Sequence, residues 1–150
     1  MTRILMVCLG NICRSPLAHG IMESKLTKDH FYVDSAGTAA YHIGNLPDKR
    51  SIAVAKSNGL DISGQSARKF IVSDFDTFNY IYAMDQSNYS DIISLARNTA
   101  DIEKVKLFLD ANSSIEDKNL PDPYYGDLID FEYVFDLINE TCEILAAQIK

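Results

Sequence analysis

Residues 4–16 read Ile4-Leu5-Met6-Val7-Cys8-Leu9-Gly10-Asn11-Ile12-Cys13-Arg14-Ser15-Pro16, an apolar run that breaks into a short loop and restarts at a proline. The run has the composition of a buried strand ending at Cys8, and Ser15-Pro16 suits the first turn of a helix, where proline's missing N–H costs nothing. A strand that ends in a tight loop and feeds a helix aims successive backbone N–H groups into one concavity. The helix N-terminus adds a partial positive charge there. Such a nest binds a phosphoryl dianion. Gly10 is expected to take the positive φ of the turn, and Asn11 is among the few other residues that tolerate it.

Cys8 opens this loop and Arg14 closes it, with five residues between them. The planar guanidinium fork of an arginine holds two phosphate oxygens at once. Free thiols titrate near ~8.5, and helix N-termini and nearby cations lower that toward roughly 3.5–7.5. A thiolate below a phosphorus atom is a nucleophile in position, and Ser15 is placed to donate its hydroxyl to it. The pattern Cys-x5-Arg alone is weak, since a buried strand-end cysteine and a salt-bridged arginine would also produce it. The strand before it, the Gly and Asn within it and the Ser-Pro start after it favour the phosphate loop.

The chain has 150 residues, enough for one domain spanning 1–150 with a proper core. Its 14 basic and 21 acidic residues leave a net charge of −7. An acidic chain with no Lys/Arg cluster does not suit nucleic acid or an anionic membrane. Phosphate capture must then be local, made by the loop against an unfavourable overall field. No secretory signal or run of transmembrane length is present, and the three cysteines are expected to be reduced thiols in the cytoplasm. Composition does not address oligomeric state, for which a monomer is the default expectation.

Strand patterns alternate with helical ones, which predicts a parallel sheet with helices on both faces. The strands are expected over Ile4–Cys8, Phe31–Ser35, Tyr80–Met84 and Lys106–Leu109. Helices are expected over Pro16–Thr27, Asp48–Ser57 and Ser87–Arg97, and Asn112–Asn119 reads as a polar loop. In the last segment Phe131, Val134, Phe135, Ile138, Cys142, Leu145 and Ile149 follow helical spacing, which also places Cys142 in the core. A single four-stranded, doubly wound α/β domain follows, with the ligand loop at the carboxyl end of its first strand.

The segment Val7–Pro16 resembles the signature loop of the low-molecular-weight protein tyrosine phosphatases. Asp34-Ser35-Ala36-Gly37-Thr38, Ala83-Met84-Asp85-Gln86-Ser87-Asn88 and Asp122-Pro123-Tyr124-Tyr125-Gly126 match the same family in the same order. The resemblance implies hydrolysis of phosphotyrosine in proteins or peptides through a phosphocysteine, with no cofactor and no metal. Phosphate would be held by Arg14 and by the loop residues Leu9, Gly10, Asn11, Ile12, Cys13 and Ser15.

A departing tyrosine phenolate has a conjugate acid near pKa ~10, so protonating it speeds departure. Asp122, held before the restricting Pro123, is the candidate acid. By itself Asp-Pro-Tyr-Tyr-Gly is a turn signal; the resemblance gives the aspartate its role as acid and then base. Tyr124 and Tyr125 beside it, and Tyr41 by resemblance, would sandwich a flat phenyl ring.

Cys13 is either a small side chain filling the loop's underside or, as the family implies, the partner of Cys8 in a protective disulfide. The resemblance further makes Asn11, Ser35 and Asp85 supports of the loop. Two departures stand out: His19 occupies a position where the family usually has Glu, and Gly64-Gln65-Ser66 precedes Ala67-Arg68 where many members carry a histidine. His19, His30 and His42 lie at no metal-ligand spacing and read as surface or structural residues.

Two rivals share the loop. Thioredoxin-coupled arsenate reductases need further cysteines after the third strand, and residues 85–105 contain none. Phosphoarginine phosphatases tend to have Thr at the position of Ile12 and lack the tyrosine pair. A non-catalytic phosphate-binding module is a third reading, at odds with the presence of nucleophile, arginine and acid together.

Overall fold

Strict alternation along the first strand organises the molecule. In the computed structural model, which describes residues 1–150, β1 (Thr2–Cys8) turns Ile4, Met6 and Cys8 to one side and Leu5 and Val7 to the other. The first set joins a core with Leu17, Ile21, Phe131, Phe135 and Ile138; the second packs with Phe70, Phe75, Phe78 and Ile92. Residues 4–7 are fully buried, as a strand covered on both faces must be.

Four parallel strands run in the order β2-β1-β3-β4, with β2 at Phe31–Gly37, β3 at Tyr80–Ala83 and β4 at Val105–Leu107. The chain moves from β1 to one neighbour and later returns to the other side. The switch point where such sheets bind ligands therefore lies at the carboxyl end of β1. On one face, α1 (Arg14–Lys25) packs on α6 (Leu128–Ile149), which also meets α2 (Lys49–Ser57). The other face carries the short α3 (Asp74–Thr77), α4 (Gln86–Ile93) and α5 (Thr99–Glu103). The apolar stripe of α6 from Phe131 to Leu145 is buried as its spacing predicts, at about 1.5–3 kcal/mol for each large side chain, and Ile149 at its end is partly buried. Cys142 lies inside it, fully buried. No helix is long and apolar enough to cross a membrane.

The expected doubly wound sheet is the observed one, with shifts at the element ends. α1 starts at Arg14 rather than Pro16, because the phosphate loop passes directly into the helix, and it stops at Lys25. β2 continues through Gly37, whose pairing with Cys8 extends the ladder. The helix expected over Ser87–Arg97 spans Gln86–Ile93. Its continuation is lost because Arg97 is drawn to Asp101, and Asn98 caps a separate helix, α5, by accepting from Asp101 N at 2.9 Å. β4 lies earlier than expected, and Phe108 and Leu109 are buried in a 3₁₀ turn (Phe108–Ala111) instead.

Candidate active site

The loop between β1 and α1 is held by its carbonyls. Those of Cys8, Leu9 and Ile12 accept from Thr38 N, Ala39 N and Asp48 N at 2.9, 2.9 and 2.7 Å. The N–H groups of Leu9 through Cys13 donate to no acceptor in the protein. A stretch with its carbonyls tied outward and its amides free has the geometry of an anion nest.

The positive φ of the turn falls on Asn11 (φ 59°), not on Gly10. Asn11 is buried and its side chain repays the αL conformation: Nδ2 donates to Ser15 Oγ at 2.8 Å and Oδ1 accepts from Arg68 N at 3.1 Å. Gly10 is needed for space, since a Cβ there would lie 2.9 Å from the His42 ring. Gly37 matters for the same reason, because a Cβ on it would come within 2.6 Å of Leu9 O.

Cys8 Sγ lies 3.0 Å from Ser15 Oγ, both buried. Ser15 Oγ accepts from the Asn11 amide, so its own proton has two acceptors within reach, the sulfur at 3.0 Å and Ala36 O at 3.5 Å. Arg14 is buried, with only 3% of its side chain exposed. Its Nη1 donates to Asp85 Oδ2 at 2.7 Å and to Leu120 O at 2.9 Å, and Nη2 lies 3.6 Å from Asp122 Oδ2. Burial opposes the guanidinium charge, but Cys8, Asp85 and Asp122 more than offset it and raise its pKa. Asp122 Oδ1 accepts from Tyr124 N at 3.1 Å, which fixes the carboxylate within its own turn.

These groups meet in one cavity of about 110 Å³, lined by Cys8, Leu9, Gly10, Ile12, Cys13, Arg14, Tyr41, His42, Asp122, Tyr124 and Tyr125. Tyr41 and Tyr125 are 74% and 96% exposed and stand at its rim; the Tyr124 and Tyr125 rings meet edge to face at 4.9 Å. Cys13 is buried beside the loop and burial pushes its thiol pKa far up. A wider polar groove of about 580 Å³ runs past His19, Glu23, Asp34 and Gln65, but neither Cys8, Arg14 nor Asp122 borders it.

Ser35 is the support that the structure does not join to the loop. Its Oγ faces His19 Nδ1 at 3.1 Å, so it ties β2 to α1. The loop is braced instead by Asn11, Ser15 and Arg68, and Gln65 Nε2 donates to Pro16 O at 3.0 Å at the start of α1. His19 is structural, as expected. His42 is not merely structural: its ring lies over Gly10 and 6.2 Å from Tyr124, making it part of the cavity wall. Its place next to Tyr41 was the only sequence signal for this. His42 and Arg68 reach the loop across the long 38–70 segment, a route that spacing does not encode.

The family model for low molecular weight phosphotyrosine protein phosphatase matches residues 3–150. A low molecular weight phosphotyrosine protein phosphatase of Schizosaccharomyces pombe is 42% identical, covering 83% of this chain and 81% of that protein. The Homo sapiens protein of the same name is 38% identical over 93% of this chain and 90% of its own length. Among solved structures, a protein tyrosine phosphatase from Entamoeba histolytica with Hepes in its active site superposes with a TM-score of 0.94. It is 35% identical and covers 99% of this chain and 97% of its own. The match along nearly the whole chain and the shared fold agree: this chain belongs to the low molecular weight phosphotyrosine protein phosphatase family.

Proposed function

We propose that residues 1–150 act as one catalytic unit that hydrolyses phosphotyrosine in proteins through a phosphocysteine on Cys8. The observation that carries this reading is the convergence of Cys8, Arg14 and Asp122 on a single cavity beneath five free amides. The Cys8 thiolate attacks phosphorus in line; the S–P bond forms as the bond to the phenolic oxygen breaks. The amides of residues 9–13 and Arg14 take the equatorial oxygens and the charge that develops on them. Asp122 gives its proton to the departing phenolate. It then takes one from the water that splits the phosphocysteine and releases phosphate.

Tyr41, Tyr124, Tyr125, Ile12 and His42 form the walls of a slot deep enough to favour a phenyl ester over a short alkyl one. Cys13 acts as a resolving thiol: peroxide converts Cys8 to a sulfenic acid, and Cys13 condenses with it, releasing water and forming a disulfide. A cytoplasmic setting, where thiols stay reduced, suits this chemistry.

Rates on phosphotyrosine, phosphoserine and phosphoarginine peptides test the reading. Turnover on phosphotyrosine should dominate, and Cys8→Ser should abolish it without loss of the fold. Preference for phosphoarginine, or stoichiometric phosphopeptide binding without phosphate release, would overturn it.

A further inference from the structure

We propose that Arg50 is a positioning residue for the reaction: from the start of α2 it holds the 122–127 loop, and Asp122 with it, in register with the phosphate loop. This rests on the reading of Asp122 as the acid.

Asp122 sits between two anchors. On its N-terminal side Leu120 is pinned, its N–H donating to Met84 O at 2.9 Å and its carbonyl accepting from Arg14. Asp122 itself is 41% exposed and makes no contact that fixes it to the rest of the fold except the 3.6 Å approach of Arg14. On its C-terminal side the anchor is Arg50. Nη2 donates to Tyr124 O and Nη1 to Gly126 O, each at 2.8 Å. Gly126 N in turn closes a tight turn on Pro123 O at 2.8 Å.

The other end of this strut reaches the phosphate loop. Arg50 Nε and Nη2 each donate to the Asp48 carboxylate at 3.0 Å, and Asp48 N donates to Ile12 O at 2.7 Å. The Phe131 ring lies 4.4 Å from the guanidinium carbon and fixes its plane. Arg50 thus joins the loop that carries the nucleophile to the loop that carries the acid, with each of its three guanidinium nitrogens donating a hydrogen bond. Lysine has neither the fork nor the plane to do this.

The test is steady-state kinetics of the whole chain on two esters, phosphotyrosine with its poor leaving group and 2,4-dinitrophenyl phosphate with a good one. General acid catalysis is worth roughly 10²–10⁴-fold and is needed only for the first. In Arg50→Met, kcat/KM, which reports phosphorylation of Cys8 and not the later hydrolysis that both esters share, should fall at least about tenfold on phosphotyrosine and less than about threefold on the dinitrophenyl ester. Vanadate inhibition should hold within about twofold, since the phosphate loop is intact. Arg50→Lys should recover part of the loss. Combining Arg50→Met with Asp122→Asn should add little to the Asp122→Asn loss, because both remove the same function.

Equal losses of kcat/KM on the two esters, or a double variant whose losses multiply, would overturn the proposal. Should Arg50→Met fail to fold, Arg50→Lys carries the same two-ester comparison. An Asp122→Asn variant that loses kcat/KM equally on both esters would instead sink the acid assignment itself, whatever Arg50 does.

Discussion

Asp85 Oδ2 lies 2.7 Å from Arg14 Nη1, although 71 positions separate the two residues in the chain. Asp85 follows β3 and caps α4, accepting from Asn88 N at 2.8 Å, so one carboxylate both starts a helix and holds the Arg14 guanidinium. A hydrogen bond between charged groups contributes about 1.5–3 kcal/mol. Asp85→Asn keeps the cap acceptor and loses the charge. It should lower kcat/KM by roughly 10–100-fold, with a matching rise in the inhibition constant of orthophosphate. A loss confined to kcat, with orthophosphate affinity intact, would show that Asp85 does not aim Arg14.

Asn11 carries the loop's left-handed turn and two of its side-chain bonds. For Asn11→Ala the αL conformation costs about 1–2 kcal/mol and each lost hydrogen bond about 0.5–1.5 kcal/mol. A fall of several degrees in Tm by calorimetry is expected. Asn11→Gly should recover the backbone share alone, so equal Tm values for the two variants would contradict the turn argument.

Cys13 is buried and its thiol pKa is pushed up, so the first attack by peroxide should fall on Cys8. Dithiothreitol should restore activity to the native protein after brief peroxide treatment, and peptide mapping should find Cys8 joined to Cys13. In Cys13→Ser the same treatment should leave activity that reductant does not restore. Full recovery in that variant would remove Cys13 as the resolving thiol.

Asp48 caps α2, accepting from the Arg50 backbone and guanidinium, and lies in a partly buried place. Burial pushes its carboxyl pKa up, but hydrogen bonds from the Arg50 side chain and backbone outweigh this and hold it below the usual carboxylate range. A pKa depressed by folding contributes stability above the unfolded value of about 3.9 and loses it as pH falls through the folded value. In urea titrations the native protein should therefore exceed Asp48→Asn at neutral pH, and the gap should close below about pH 4. A gap that persists at pH 2 would assign the effect to packing instead.

Residues 4–16, read in order, determined the strand, the loop and the helix start, because each rests on local chemistry: a run of buried aliphatics, a nest of amides, a proline at a helix entry. The strong stripe of α6 and the alternation of strands and helices determined the class of sheet for the same reason. Short elements such as α3 and α5 were not legible, since a single turn buries too little surface to imprint a period.

The tertiary structure alone decided which distant groups brace the site. Ser35 went to His19 rather than to the loop, His42 came over Gly10, and Arg50 and Arg68 reached in from the segment between β2 and β3. Those contacts depend on where long connections are laid across the sheet's carboxyl edge. That path is set by the packing of the whole core, and no spacing along the chain records it.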